Sequence, residues 1–357
     1  MTKVAILNDT HAGARNSSSI FIDYQEQFYT NIFFPYLREN NISRILHLGD
    51  YYEHRKFVNF KVLNANRRHF LDKLREYNII MDIIPGNHDV TYRNTNDLCS
   101  LNELMIGYDD VVNILMKPTE LKYDNNDQKI IMIPWINSEN EHYTLKCLDK
   151  TDATICLGHF EFEGFQMYRG AISHDGMDMK PFKKFDAVYS GHYHTKSSDG
   201  NISYLGAQME FTWADCDDPK YFHILDLETA EIKQVHNPLT LFTKVVYDDE
   251  EFDYNRFDYN IFDNQFVKVV VANKTNLSQF EDFISNIQLK KIYDLKIVES
   301  FNDSSALDDS EEENTKFEET SELISQYIDS TDTLLDKSIL KSQLKELYNE
   351  ALYAERL

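Results

Sequence analysis

Short apolar runs alternate with stretches of helical periodicity along the first 230 residues. "VAIL" (4–7), "RILHL" (44–48), "IIMDIIP" (79–85), "KIIMIPW" (129–135), "ATICLG" (153–158), "AVYSG" (187–191) and "ISYLG" (202–206) read as buried strands. Between them, "DYQEQFYTNIFFPYLREN" (23–40) and "NFKVLNANRRHFLDKLREYN" (59–78) carry apolar residues at helical spacing. The alternation predicts an α/β domain over residues 1–236 whose functional loops sit at the carboxyl ends of the strands. From residue 237 to 299 the pattern changes: "FVKVVVA" (266–272), "LSQFEDFISNIQ" (277–288) and "YDLKIVE" (293–299) predict a small β-α-β domain. Residues 300–317 have almost no apolar content and predict an acidic flexible linker. Over 318–357, Leu323, Ile324, Tyr327 and Ile328, then Leu340, Leu344, Leu347, Tyr348 and Leu352, flank the turn "DSTD" (329–332). That is a helical hairpin with an apolar stripe, which either packs back on the body or grips a partner's helix or coiled coil.

Composition narrows the class. The chain has 357 residues, enough for one large domain and a smaller one. Its four cysteines (Cys99, Cys147, Cys156, Cys216) form no C-x-x-C pair, so neither a zinc knuckle nor a disulfide framework is indicated. The apolar runs are far too short to span a bilayer, and a soluble protein of a reducing cytoplasm is expected. The formal charge of −24 argues against long-range attraction of nucleic acid. Its distribution softens that argument. Between Glu299 and Asp332 twelve acids face the single base Lys316, and between Asp248 and Asp263 seven acids face Arg256. The remaining charge is −7, so binding of DNA through metal ions or a partner stays open.

Against this background five polar clusters stand at strand ends. Asp9 and His11 ("NDTH") follow the first strand, Asp50 ("GDYYE") the second, and Asn87, His88 and Asp89 ("GNHD") the third. His159 ("GHF") and the pair His192 and His194 ("GHYH") follow two later ones. Four of the five include a glycine at the turn, which lets the backbone bend tightly under the side chains. On an extended segment residues i and i+2 face the same side, so Asp9 with His11 and His192 with His194 are expected to present two ligands together. Each cluster alone is ordinary turn chemistry; together they are a donor set. Three oxygen donors (Asp9, Asp50, Asn87) and four imidazoles (His11, His159, His192, His194) are too many for one structural zinc. They suit two divalent metals about 3.5–4 Å apart that share a carboxylate, acidify water and clamp the oxygens of a phosphoryl displacement. Mixed nitrogen and oxygen donors without thiolate favour manganese, with magnesium, iron or zinc as alternatives. His88 is left over as a candidate acid, with Asp89 beside it as the group expected to orient its ring.

At these residues the sequence resembles the calcineurin-like metallophosphoesterases. More narrowly it is similar to the DNA double-strand-break nucleases of the SbcD and meiotic-recombination-eleven family, the recombination endonuclease subunits of T-even-like bacteriophages among them. The similarity runs over residues 1–230, including "MIPW" (132–135), "GHFEFEGFQMYRG" (158–170) and "SGHYHT" (190–195). The resemblance implies a two-sheet sandwich flanked by helices, a DNA-facing capping domain at 237–299, and a hairpin at 318–357 that grips the coiled coil of an SbcC-like ATPase. It implies a manganese-dependent endo- and exonuclease subunit acting in recombination, end processing and repair, inside an infected host cell. Asp9, His11 and His194 would hold one metal, Asn87, His159 and His192 the other, and Asp50 would bridge. His88 matches the non-ligand catalytic histidine and Asp89 its partner. Glu53 stands where relatives carry aspartate or histidine, and would contact substrate or a water just outside the metal ligands. The family also implies a homodimer through helices near 59–78, and basic DNA contacts for which Lys268, Lys274, Lys290, Lys291, Arg67, Arg68 and Arg93 are candidates. The main rival is a phosphatase or cyclic-nucleotide diesterase on the same scaffold. "GDYYEHR" in place of the phosphatase "GDxVDRG" counts against it. A non-catalytic assembly module is a further rival, disfavoured by the intact donor set.

Overall fold

The computed structural model describes residues 3–123, 129–168, 171–173 and 176–299, with Lys337 alone beyond them. Backbone contacts divide the chain into Met1–Ser300 and Phe301–Leu357, and the elements named in this section all belong to the first unit. The linker and hairpin expected at 300–317 and 318–357 lie outside the described residues.

Two six-stranded sheets form the body. The first has the order β14-β13-β1-β2-β3-β4, built from β1 (Lys3–Leu7), β2 (Arg44–His47), β3 (Ile80–Ile83), β4 (Val112–Ile114), β13 (Lys220–Asp226) and β14 (Ile232–Asn237). The second has the order β11-β12-β10-β7-β6-β5, built from β5 (Thr119–Leu121), β6 (Ile130–Ile133), β7 (Ile155–His159), β10 (Ala187–Gly191), β11 (Ser197–Asp199) and β12 (Ile202–Tyr204). A small hairpin, β8 (Gln166–Tyr168) and β9 (Ala171–Ile172), stands apart. β1 to β4 run parallel, as do β6, β7, β10 and β12.

The apolar runs have a simple cause: each strand feeds two cores. Val4 and Ile6 of β1, Leu46 and Leu48, Ile130 and Met132 of β6, and Ile155 and Leu157 of β7 pack together between the sheets. Ala5, Leu7, Ile45 and Met81 face instead the helices over the first sheet, while Ile131, Ile133 and Cys156 face a separate outer cluster. A strand buried on both faces has no polar alternation to show. Over the first sheet the helix Ser19–Phe28 continues through a π-turn, Tyr29–Phe33, into Phe34–Glu39, and Phe60–Asn66 continues through a second π-turn, Arg67–Leu71, into Asp72–Tyr77. Tyr29 and Phe70, one from each π-turn, meet with ring centroids 4.9 Å apart.

Past β14 a three-stranded parallel sheet, β15 (Phe242–Asp248), β16 (Phe266–Asn273) and β17 (Asp294–Glu299), carries the helix Leu277–Gln288 between its last two strands. Its interior of Tyr247, Phe262, Val267, Val269, Phe283 and Ile287 is separate from the other cores. Phe242 and Phe266 attach it to the body against Phe21, with ring centroids 6.3 and 6.0 Å away. Lys268, a candidate for touching DNA, is buried there with its ammonium 4.4 Å from the Trp213 ring centroid, so it is a packing residue.

Candidate metal centre

All five polar clusters fall where parallel strands end, and their loops meet. Asp9 and His11 follow β1; Asp50 follows β2; Asn87, His88 and Asp89 follow β3; His159 closes β7; His192 and His194 follow β10. Three groups result, the first and last sharing His11: Asp9, His11 and His194; Asp50, His159 and His192; and His11, Glu53 and His88.

The backbone that aims these groups is not extended. Asp9, His11, Asp50 and His192 have φ of 48°, 43°, 52° and 91°, in the left-handed region that side chains avoid. The expectation that i and i+2 share the face of a straight strand is therefore corrected: loop turns bring the pairs together. Two glycines make room beneath. Gly49 has φ of 91°, and a Cβ on it would lie 2.6 Å from the Gly86 nitrogen and 2.9 Å from His159 Nδ1. A Cβ on Gly86 would collide with the carboxylate and backbone nitrogen of Asp50.

Buried hydrogen bonds then fix each donor. The Asp9 carboxylate accepts from the Asn8 amide (2.6 Å) and the His192 N–H (3.0 Å), and the Asn8 amide also donates to the Gly206 carbonyl (2.8 Å). Asp50 Oδ1 accepts the His88 N–H at 2.7 Å, leaving Oδ2 3.3 Å from His159 Nε2 and 3.9 Å from His11 Nε2. His159 Nδ1 is 2.8 Å from the Leu48 carbonyl, which can only accept, so Nδ1 carries hydrogen and Nε2 is the nitrogen turned to the other donors. His11 Nδ1 lies 2.7 Å from Glu53 Oε2, an ion pair rather than an aligned hydrogen bond. Its charge favours the same tautomer.

The donors converge at the spacing a metal requires. His11 Nε2 is 3.1 Å from His194 Nε2, and Asn87 Oδ1 is 3.0 Å from both His159 Nε2 and His192 Nδ1. Two ligands at right angles on an ion with bonds of about 2.1 Å sit about 3.0 Å apart. The residues present thus fit divalent ions. Electrostatics points the same way. Burial alone lowers an imidazole pKa, yet Glu53, Asp50 and Asp9 lift His11 to about 10, and Asp50 and Asp9 lift His159 to about 9. Burial and the neighbouring His159 push His192 down to about 3. Burial raises the Asp50 pKa, but His159, His88 and His11 carry it well below the usual carboxylate range.

Glu53 and Asp89 need separate statements. The Glu53 carboxylate faces His11, while its backbone carbonyl, 2.8 Å away, is the partner of His88 Nδ1. Asp89 does not orient the His88 ring. Its oxygens accept the N–H groups of Tyr51 (3.0 Å), Tyr52 (3.1 Å) and Gly86 (2.9 Å), tying the loop after β2 to the loop after β3. Burial and the nearby Asp50 lift its pKa to about 6 against these bonds. Sequence reasoning passed over two further residues. Lys220, on β13, donates to the His194 carbonyl at 3.2 Å, and Trp135, just past β6, packs its indole near His192 and His159. Trp135 had a signal in its place after a strand, like the candidate donors; Lys220 had none.

Residues 2–196 match the family of calcineurin-like phosphoesterases. The chain belongs to the calcineurin-like phosphoesterases. As a member of that family it is a metal-dependent phosphodiesterase with a mixed α/β fold of two sheets, and the family uses divalent metals. The chain is also 30% identical over 359 residues to exonuclease subunit 1 of Enterobacteria phage T4, covering 98% of this chain and 99% of that one. Among solved structures, an archaeal phosphodiesterase (15% identity, 66% of this chain and 99% of that one) and the calcineurin-like phosphoesterase YfkN of Bacillus subtilis (11%, 66% and 88%) each align with a TM-score of 0.33, too slight a likeness to bear on the activity. Among the described residues of this phosphoesterase no helix is long and apolar enough to cross a membrane.

Proposed function

We propose that the chain is the nuclease subunit of an SbcCD-like complex, hydrolysing DNA phosphodiesters with two manganese ions in recombination, end processing and repair. The observation that carries the reading is the position of Asp50. One of its oxygens lies 3.3 Å from His159 Nε2 and 3.9 Å from His11 Nε2, so a single carboxylate is within reach of both donor groups and would bridge them. Asp9, His11 and His194 would hold one ion and Asn87, His159 and His192 the other. When bound, such a pair supplies Lewis-acid charge to the phosphoryl oxygens and lowers the pKa of the attacking water.

The protein's own groups do the rest. Glu53 and Leu48 hold His11 and His159 with Nε2 inward. The Glu53 carbonyl keeps hydrogen on His88 Nδ1, so when the ring is an imidazolium Nε2 is the atom that gives its proton to the leaving oxygen, and the neutral ring left behind keeps the Nδ1 hydrogen. Asp89 acts on the loops rather than on the imidazole. The DNA substrate and a partner subunit draw support from the T4 exonuclease subunit, whose likeness spans nearly the whole chain. An SbcC-like ATPase held by residues 318–357 and a homodimer through the helices near 59–78 complete the proposal.

The test is cleavage of labelled linear duplex and circular single-stranded DNA with manganese, comparing wild type with His88→Ala and Asp50→Ala, with and without the ATPase. Both substitutions are expected to abolish cleavage. Undiminished cleavage by His88→Ala removes the proton-transfer role. Turnover of phosphoprotein or cyclic nucleotides with no cleavage of DNA overturns the nuclease reading.

A further inference from the structure

Beside the metal centre lies a cleft of about 350 Å³, lined among others by Trp135, Ser138, Glu141, His159, Phe160 and Glu161. Sites for small organic ligands begin at about 300 Å³. Three features define what would enter. The indole of Trp135 forms one wall, its centroid 5.5 Å from the His192 ring and 5.9 Å from the His159 ring, so it borders the donors directly. The wall is built rigidly. The Trp135 carbonyl accepts the amides of Asn96 and Asn140, both at 2.9 Å, its N–H donates to the Pro85 carbonyl at 2.9 Å, and Asn96 is itself bonded to Asn137 at 2.8 Å. Pro85 is the residue before Gly86, so the backbone that carries the indole is tied to the loop bearing Asn87 and His88. Finally, apart from His159 at the metal centre, the charged side chains among the described lining residues are Glu141 and Glu161, with neither lysine nor arginine there. Carboxylates repel a phosphate and accept hydrogen bonds from N–H groups.

We infer that this cleft is a nucleobase subsite, in which Trp135 stacks on the base next to the scissile phosphate while that phosphate lies on the imidazole side. The inference rests on the DNA nuclease reading and adds how one nucleotide is held: the cleft takes its flat, neutral, N–H-bearing part and rejects its anionic part. A base in the cleft is unstacked from its neighbours, so the subsite favours single-stranded or frayed ends. Stacking on an aromatic side chain is sequence-tolerant and costs about 5- to 150-fold in binding when removed.

The chain has two tryptophans, which makes the test direct. In the full-length Trp213→Phe variant, Trp135 is the sole indole. Titration with deoxynucleoside 5′-monophosphates is expected to quench its fluorescence saturably, and titration with deoxyribose 5-phosphate is not. In parallel, an abasic nucleotide at the cleavage position is expected to lower kcat/KM on the order of 10-fold in wild type. In Trp135→Ala the same lesion is expected to have no effect. Trp135→Phe, which keeps an aromatic ring against the imidazoles, is expected to retain part of the penalty and guards against a loss of fold. No quenching, or equal quenching by the baseless sugar phosphate, overturns the subsite, as does an abasic lesion that is cleaved as fast as intact DNA. Hydrolysis of a small aryl phosphodiester without DNA cleavage would instead sink the nuclease reading, and the fluorescence titration would still decide the cleft.

Discussion

Removing the ammonium of Lys220 probes how the fold holds His194, the last of the proposed metal ligands. Lys220 is 3% exposed, with Nζ 2.5 Å from Asp215 Oδ1, 2.8 Å from Asp218 Oδ2 and 3.2 Å from the His194 carbonyl. Asp215 is as deeply buried, and its other oxygen already accepts the N–H groups of Phe211 and Thr212, both at 2.9 Å. Lys220→Met therefore strands a carboxylate that cannot turn to water, whereas Asp218, partly exposed, can hydrate. Breaking such a pair from one side costs about 3–5 kcal/mol, most of it the unpaired buried charge. Counted over the roughly 300 described residues with an unfolding entropy of about 2.1 cal/mol/K per residue, that is a fall in Tm of about 5–8 °C. Asp215→Asn in the same chain removes the charge while its amide oxygen can still accept from Phe211 and Thr212. The double variant is expected to recover at least half the loss, and the single variant to bind manganese more weakly because the His194 carbonyl has lost its donor. Calorimetric melting and isothermal titration of the two variants test this. A Lys220→Met Tm within about 2 °C of wild type, or a double variant no more stable than the single, would refute the claim that a desolvated charge pair anchors the His194 loop.

Three other outcomes are expected at the site. Gly86→Ala places a methyl on the Asp50 carboxylate, so manganese binding by titration should be lost while circular dichroism stays near native. Glu53→Gln removes the charge facing His11 Nδ1 and should weaken manganese binding about 10-fold, with a smaller effect on Tm; unchanged affinity would show that the 2.7 Å ion pair does not set the ligand's tautomer. In the metal-free protein His11 and His159 titrate near 10 and 9, above the ordinary 6.5, so both are protonated at pH 7.5 and must lose a proton to coordinate. Titrations in buffers of different ionisation enthalpy should therefore show release of about two protons at that pH and tighter binding as pH rises towards 9; proton-neutral binding would contradict the carboxylate-raised values. The sign for folding is the reverse: without metal, the stability these raised groups lend is complete below pH 6.5 and is lost as pH climbs through 9 to 10.

Much of the core was legible because burial on both faces leaves an unbroken apolar run, as in Val4–Leu7, all of it fully buried. β13 escaped for the opposite reason. "KYFHILD" begins with a lysine and carries a histidine at its centre, and its partners β1 and β14 include a strand more than 200 residues away. Its Lys220 is inside because two carboxylates and a carbonyl meet it there, which no local pattern announces. Phe242–Asp248 was missed as well: "FTKVVYD" joins β16 in parallel, and its start is held by the distant Glu210, which accepts the N–H groups of Leu241 and Phe242 at 2.5 and 3.0 Å. Each π-turn in the two long helices widens one turn by a residue, and a stripe whose spacings already alternate between three and four hides that shift of phase in the sequence.

For the candidate site, residue identity was legible and conformation was not. A D-x-H pair on a strand and the same pair on a left-handed turn have one sequence and different geometries. Here Asp9, His11, Asp50 and His192 all take the second. Each such residue costs about 1–3 kcal/mol and persists only where its surroundings over-determine it. The surroundings are visible: Asn8 spans to Gly206, Thr10 packs its hydroxyl 3.1 Å from His47 Nε2, the Gln25 amide reaches the Thr10 carbonyl at 2.5 Å, and Asp89 clamps three N–H groups. None of these partners is itself a donor in the three converging groups. Glycine would relieve the strain at every one of the four positions, and glycines do occupy the neighbouring Gly49, Gly86 and Gly191. A glycine, however, brings no oxygen or nitrogen to the centre. The four strained residues are therefore the places where the donor set outweighed backbone preference, and the hydrogen-bonded shell beneath them is what lets the fold hold that compromise.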